Sequence, residues 1–217
     1  MTDPSSRRPI ASRDSGLARR VAKYLAGTWI TPNQISIASV GFAGIAGAAF
    51  WMSGQSEGFA RAGWLILAAL GCQFRLLCNL FDGMVAIEGG KSAPDGPFWN
   101  EAPDRFADIA IFVGLGLGAG FAALGWAAAA MAVLTAYIRE IGQAQGMDAD
   151  FSGPMAKPQR MAVATGVAVI AITVPSAGGI GLLEIALWIV ALGAFFTSMR
   201  RSARLVKWLR SARPGHP

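Results

Sequence analysis

Six apolar stretches, each roughly 20 residues long, leave this chain little choice of solvent. They run at about 34–53, 62–84, 104–122, 124–143, 160–176 and 179–199. A helix of about 20 residues crosses a hydrocarbon core of about 30 Å, and it satisfies its own backbone hydrogen bonds where no water can. The pattern therefore predicts an all-α bundle of six transmembrane helices. Gly54 with Gln55, Gly90, Gly146 and the Pro175-Ser-Ala-Gly-Gly segment mark the breaks between spans. Composition agrees: 53% of residues are hydrophobic and 15% charged, too apolar a balance for a soluble domain of 217 residues.

The cations give the orientation. Arg7, Arg8, Arg13, Arg19, Arg20 and Lys23 precede the first span, Lys91 follows the second, Lys157 and Arg160 follow the fourth, and Arg200, Arg201, Arg204, Lys207 and Arg210 follow the last. The opposite loops offer Arg61 alone. Positive charge gathers on the cytoplasmic side, so both termini are expected there, in a multi-pass protein of a plasma membrane. The net charge of +6 is explained by topology and anionic headgroups, and nucleic acid is not an expected partner. No cleavable signal peptide is expected, because a long arginine-rich segment precedes the first apolar run.

Three regions follow. Residues 1–30 read as a cytoplasmic arm with an interfacial amphipathic helix, in which Leu17, Val21, Tyr24 and Leu25 share a face apart from Arg19, Arg20 and Lys23. Residues 31–200 form the six-span domain, opened by Thr31-Pro32-Asn33-Gln34, a capping box with proline at the first helical position. Residues 201–217 read as a basic cytoplasmic tail. Cys72 and Cys78 lie six positions apart on different helix faces and are not expected to bridge.

The polar exception to all this sits at the end of the second span and the start of the third. Asn79, Asp82, Gly83 and Ala86 recur at three- and four-residue steps, and Asn100, Asp104 and Asp108 do the same on the next helix. Two polar stripes can face one another. Carboxylates at membrane depth are expensive and mark functional sites, although Arg75 and Arg105 offer a purely structural neutralisation of Asp104 and Asp108. Small residues beside the carboxylates, Gly83, Ala86 and Gly96, leave backbone that a flat ligand can approach. An all-oxygen set with no histidine or thiolate cluster suits Mg²⁺ or Mn²⁺, the hard cations that accompany phosphates.

The spacing Asn79-x-x-Asp82-Gly83-x-x-Ala86-Ile87, eight residues, Gly96-x-x-x-Asn100-x-x-x-Asp104 resembles the signature of the CDP-alcohol phosphotransferases, Asp-x-x-Asp-Gly-x-x-Ala-Arg, eight residues, Gly-x-x-x-Asp-x-x-x-Asp. The likeness extends to the six spans, the helix before them, the Thr-Pro-Asn-Gln start and the basic Gly153-Pro-Met-Ala-Lys157-Pro-Gln-Arg160 segment. It implies a phospholipid-synthesis transferase that moves a phosphatidyl group from a CDP-linked donor, usually CDP-diacylglycerol, to an alcohol and releases CMP. It further implies that Asp82, Asp104, Asn79 and Asn100 stand at metal positions, with Asp104 as the base for the acceptor hydroxyl. Gly83, Ala86 and Gly96 would receive the cytidine diphosphate, and Arg139, Lys157 and Arg160 are the basic candidates for substrate phosphate. Relatives often form homodimers, and the small residues of spans three and four would permit close packing.

The departures are Asn79 and Asn100 for the first and third aspartates and Ile87 for the arginine. Two negative charges are missing, so metal is expected to bind more weakly and to lean on the donor's phosphates, and Asp108 is the candidate to make up charge. A similar pair of asparagines marks a divergent bacterial branch that this chain resembles. The alternative reading is a degenerate relative that binds lipid or CDP-nucleotide without turnover. A small transporter has no support, since no inverted repeat or broken-helix pattern stands out.

Overall fold

The structure, a computed structural model, describes residues 15–212. Arg7, Arg8, Arg13 and His216 lie outside the described residues, as do most of the N-terminal arm and the end of the tail. Seven α-helices make up nearly all of the described chain: α1 Gly16–Ala26, α2 Pro32–Gly54, α3 Gly58–Glu88, α4 Gly96–Ala119, α5 Ala122–Ala144, α6 Lys157–Ile170 and α7 Leu182–Ala212.

Helix starts follow local chemistry. Ser15 caps α1 by accepting from the Ala18 amide. At α2 the capping box forms as the sequence predicts: Thr31 Oγ1 accepts from the Gln34 amide at 3.2 Å, and Gln34 Oε1 accepts from the Thr31 amide at 2.9 Å. Between α6 and α7, Ser176–Ala177 (β1) and Ile180–Gly181 (β2) pair antiparallel around Gly178 and Gly179. Both glycines have positive φ, 59° and 80°, the conformation a two-residue hairpin turn demands. The fifth apolar run is thus cut short: its helix ends at Ile170 rather than near residue 176, and the last helix begins at Leu182. Nor does α7 stop at residue 200; it runs unbroken into the basic segment that the sequence set apart as a tail.

Among the described residues, four helices are long and apolar enough to cross a membrane: α2, α3, α5 and α7. The six-span expectation meets two exceptions. Helix α4 has 24 residues, enough for about 36 Å, but carries Glu101, Asp104, Arg105 and Asp108 between its first turns and its middle. Helix α6 has 14 residues, about 21 Å.

Helix α2 is the spine, packed along both α3 and α4, while α5 lies against α4 and α7, and α6 against α3. Phe50, Leu65, Ile111, Phe112, Leu115, Leu187 and Val190 fill the interior. Outward faces carry Ile45, Ile66, Leu70, Trp188, Leu192 and Phe196, all exposed, as suits an apolar surrounding medium. Helix α1 packs Ala18 and Ala22 against Leu80 and Met84 of α3, leaving Leu17 and Tyr24 exposed.

The α2–α4 contact is backbone against backbone. A Cβ at Gly114 would lie 2.1 Å from the Gly47 carbonyl oxygen, and one at Gly118 would lie 2.1 Å from that of Phe50. Such crossings let helices approach without side chains between them. Gly114→Leu is therefore expected to lower stability by about 1–3 kcal/mol or more, read as the melting temperature of the protein in micelles. Gly63→Leu, where a Cβ meets open space, is the control that should melt with the parent.

Candidate active site

The two polar stripes meet. Asn79 of α3 donates through Nδ2 to Asp104 Oδ1 of α4. One turn before Asn79 on the same face, Arg75 Nη2 reaches the same oxygen at 3.1 Å and lies 3.5 Å from Asp108 Oδ1. Arg75 and Asp108 are fully buried, and Asp82 and Asp104 nearly so, at 7% and 5% exposure. Asp82 is steadied by Ser36 of α2, whose hydroxyl donates to Oδ2 at 2.7 Å, and by the Gly83 amide, which donates to Oδ1 at 2.6 Å. Lys157, the first residue of α6, donates its ammonium to Asp104 Oδ2 and acts electrostatically on Asp82 as well. Asp82 and Asp104 thus share one cation-lined space between α2, α3, α4 and α6.

The lip of this space is tied from two sides. Lys91 Nζ, in the α3–α4 loop, donates to the carbonyls of Thr28 at 2.5 Å and Ile30 at 3.2 Å. Asp95 Oδ2 accepts from Asn33 Nδ2 at 3.2 Å and from Trp99 Nε1 at 2.8 Å. Gly96, Gly83 and Ala86 lie along this lip, half-buried, and a Cβ at Gly96 would meet open space. Ile87, which stands in place of the signature arginine, is exposed.

Other expected residues turn elsewhere. Asn100 is exposed and donates to Glu101 at 3.3 Å. Asp108, expected to replace lost charge at the metal, instead faces two guanidiniums: Arg160 Nη2 donates to its Oδ2 at 2.6 Å, while Arg75 stands at its Oδ1. Arg160, expected at a substrate phosphate, is 2% exposed and spends its other amino group on Thr135 Oγ1 at 3.2 Å and the Met155 carbonyl at 3.1 Å. It is a strut for Asp108. Arg139 is half-buried and pairs with Glu101 and with Glu140, the latter at 2.7 Å. Arg105 joins this group through Glu101 at 3.1 Å.

Two contributors escaped the sequence reading. Ser36 was one serine among several, and only its position one turn into α2 hints that it looks at the site. Arg201, one of the cations after the last span, is 5% exposed and donates to the carbonyls of Thr135 at 2.7 Å and Ser152 at 3.0 Å, pinning the α5–α6 loop to α7. In that loop, burial opposes charge on Asp150. The Ser152 hydroxyl and amide and the Arg204 and Arg201 guanidiniums outweigh it and hold the carboxyl below its usual range.

The donor set fits a single hard divalent ion. Asn79 Oδ1 is a buried acceptor with no hydrogen-bond partner, on the amide whose nitrogen bonds Asp104 Oδ1, and Asp82 follows three residues later on the same helix face. Mg²⁺ is commonly held by one or two carboxylates together with substrate phosphates, which matches two carboxylates and an amide. Among the described residues no group of three or more His, Cys, Asp or Glu side chains forms a metal cluster.

No protein-family model matches the chain. It is 24% identical over 194 residues to a phosphatidylinositol phosphate synthase of Mycobacteroides abscessus, an alignment covering 83% of this chain and 80% of that protein. Its fold is that of the phosphatidylinositol phosphate synthase of Mycobacterium tuberculosis. The structure of that enzyme with CDP-DAG bound superposes with a TM-score of 0.70 at 21% identity, covering 88% of this chain and 94% of the other. The same enzyme in complex with manganese and citrate gives a TM-score of 0.70 at 21% identity, over 87% and 88% of the two chains. These likenesses support the CDP-alcohol phosphotransferase family, to whose signature the α3–α4 residues correspond in spacing.

Proposed function

We propose that the chain is a membrane-embedded, divalent-metal-dependent phosphatidyltransferase that passes a phosphatidyl group from CDP-DAG to an alcohol and releases CMP. The observation that carries this reading is the contact of Asn79 with Asp104 across the two motif helices, with Asp82 on the same face of α3 beside Gly83, on a fold matched by a relative whose structure holds CDP-DAG. We read all six helices from α2 to α7 as the membrane domain, with α1 lying in the headgroup layer on Leu17 and Tyr24, and both termini cytoplasmic in a bacterial inner membrane.

Asn79 Oδ1, Asp82 and Asp104 would hold the ion, which supplies charge neutralisation for the diphosphate and the departing CMP. The lip at Gly83, Ala86 and Gly96 lets the cytidine diphosphate lie against backbone. Lys157 covers Asp104 Oδ2 in this structure, and an incoming phosphate competes for that ammonium. Drawing Lys157 away frees the carboxylate oxygen that takes the acceptor hydroxyl's proton, so substrate arrival and exposure of the base are linked. Arg139, paired with Glu101 and Glu140, is the second candidate for a phosphate on the acceptor. The relative's name makes an inositol phosphate the first acceptor to try.

The missing aspartates favour one further reading, a protein that binds CDP-DAG without turnover. A single assay separates the two. Purified protein is given CDP-DAG, Mg²⁺ or Mn²⁺ and a panel of alcohols headed by inositol phosphates, and CMP is measured. Metal-dependent CMP release with at least one acceptor is expected; metal-dependent CDP-DAG binding with no CMP from any acceptor would favour the non-catalytic reading.

A further inference from the structure

The most unusual group at this site is the guanidinium of Arg75. It is fully buried in α3, on the face that bears Asn79 and Asp82, and it lies against Asp104 and Asp108 together. Its Nε and Nη1 are buried and bond nothing. A structural counter-ion for Asp108 is already present in Arg160, at 2.6 Å, so the scaffold does not require Arg75 for that purpose.

Charge at the site is balanced before any metal arrives. Asp82, Asp104 and Asp108 face Arg75, Lys157 and Arg160, and the further cation Arg105, 3.8 Å from Asp104 Oδ2, is offset by Glu101 at 3.1 Å. One divalent ion entering with a diphosphate leaves that balance nearly intact. A second would put two uncompensated charges into a buried space of low polarity, where like charges repel strongly. Its would-be ligands are also missing, because Asn100 faces out and Asp108 is held by arginines.

We propose that Arg75 is a protein-borne counter-charge that competes with metal for Asp104 and stands in for a second divalent ion, so that the site takes one ion only. The assignment rests on the metal-binding part of the function proposed above, and not on turnover. The amide at Asn79 belongs to the same arrangement: its nitrogen serves Asp104 while its oxygen stays free for the single ion, a division that two carboxylate oxygens could not make.

The test is Mn²⁺ binding to the purified full chain in the presence of CDP, counted and titrated by electron paramagnetic resonance. The parent is expected to bind one equivalent. Arg75→Gln removes the fixed charge and should tighten that ion by at least about tenfold, whereas Arg75→Lys keeps the charge and should stay near the parent. Two equivalents in the parent would overturn the proposal, a result that does not depend on any variant folding. So would Arg75→Gln protein that is folded by circular dichroism and binds Mn²⁺ no more tightly. One equivalent of Mn²⁺ without CMP release under any acceptor would count against the transferase while supporting this assignment. CMP release with two equivalents would do the reverse.

Discussion

Asp104→Asn is expected to lower CMP release by about 10²–10⁴-fold, the range over which a positioned general base contributes. The substitution keeps the size of the side chain and its place between α3 and α4, and it removes the two capacities assigned to Asp104, taking a proton and offering negative charge to an ion. Asp82→Asn tests the second capacity alone. Its carboxylate is held by Ser36 and the Gly83 amide. An asparagine there should raise the Mg²⁺ concentration for half-maximal activity at least about tenfold while sparing much of the rate at saturating metal. The two variants are separated by a metal titration of CMP release. If both lose the same rate at saturating metal, the division of labour between base and ligand fails.

Arg160→Met carries the largest expected loss of stability, about 3–5 kcal/mol, because it leaves Asp108 buried with only the more distant guanidinium of Arg75 at 3.5 Å. Domains are stable by only about 5–15 kcal/mol, so a loss of this size should show as a sharply lower denaturation midpoint in micelles and a poor yield. Arg160→Lys should recover little. A lysine cannot reproduce the fork that serves Asp108, Thr135 and the Met155 carbonyl together. Removing both partners, as in Arg160→Met with Asp108→Leu, should recover most of the loss, since no charge then remains buried alone. If the double variant is as unstable as Arg160→Met, the pair is not the source of the effect.

These two pairs of residues also show where sequence reasoning succeeds. Asn79, Asp82, Asp104 and Asp108 were legible because helical periodicity puts residues three and four apart on one face, and polar groups in an apolar run stand out. Which partner each would find was not legible. Asp108 and Arg160 are 52 positions apart and on helices whose packing no local pattern fixes. The same spacing argument that paired Asp108 with the metal site cannot see an arginine arriving from α6. The bonds of Arg201 are hidden for a related reason: at a helix end a cation counts toward topology, and only the folded chain shows it also bonded to Thr135 and Ser152. Span ends were approximate where glycine and proline act together. The Pro175–Gly179 segment reads as a break, but its pairing as a hairpin that shortens α6 depends on the positive φ of Gly178 and Gly179. The capping box at Thr31 was readable because all of its partners lie within one turn.

For this chemistry Asp82 and Asp104 must serve the same ion at the same diphosphate. An experimental structure of the full chain soaked with CDP-DAG and Mn²⁺, with the metal located by its anomalous signal, addresses this most directly. Manganese bridging the two carboxylates, with the diphosphate against Gly83 and Gly96 and Lys157 moved off Asp104, is the predicted result. Manganese held away from either aspartate, or a diphosphate bound elsewhere while Lys157 still covers Asp104, would contradict it.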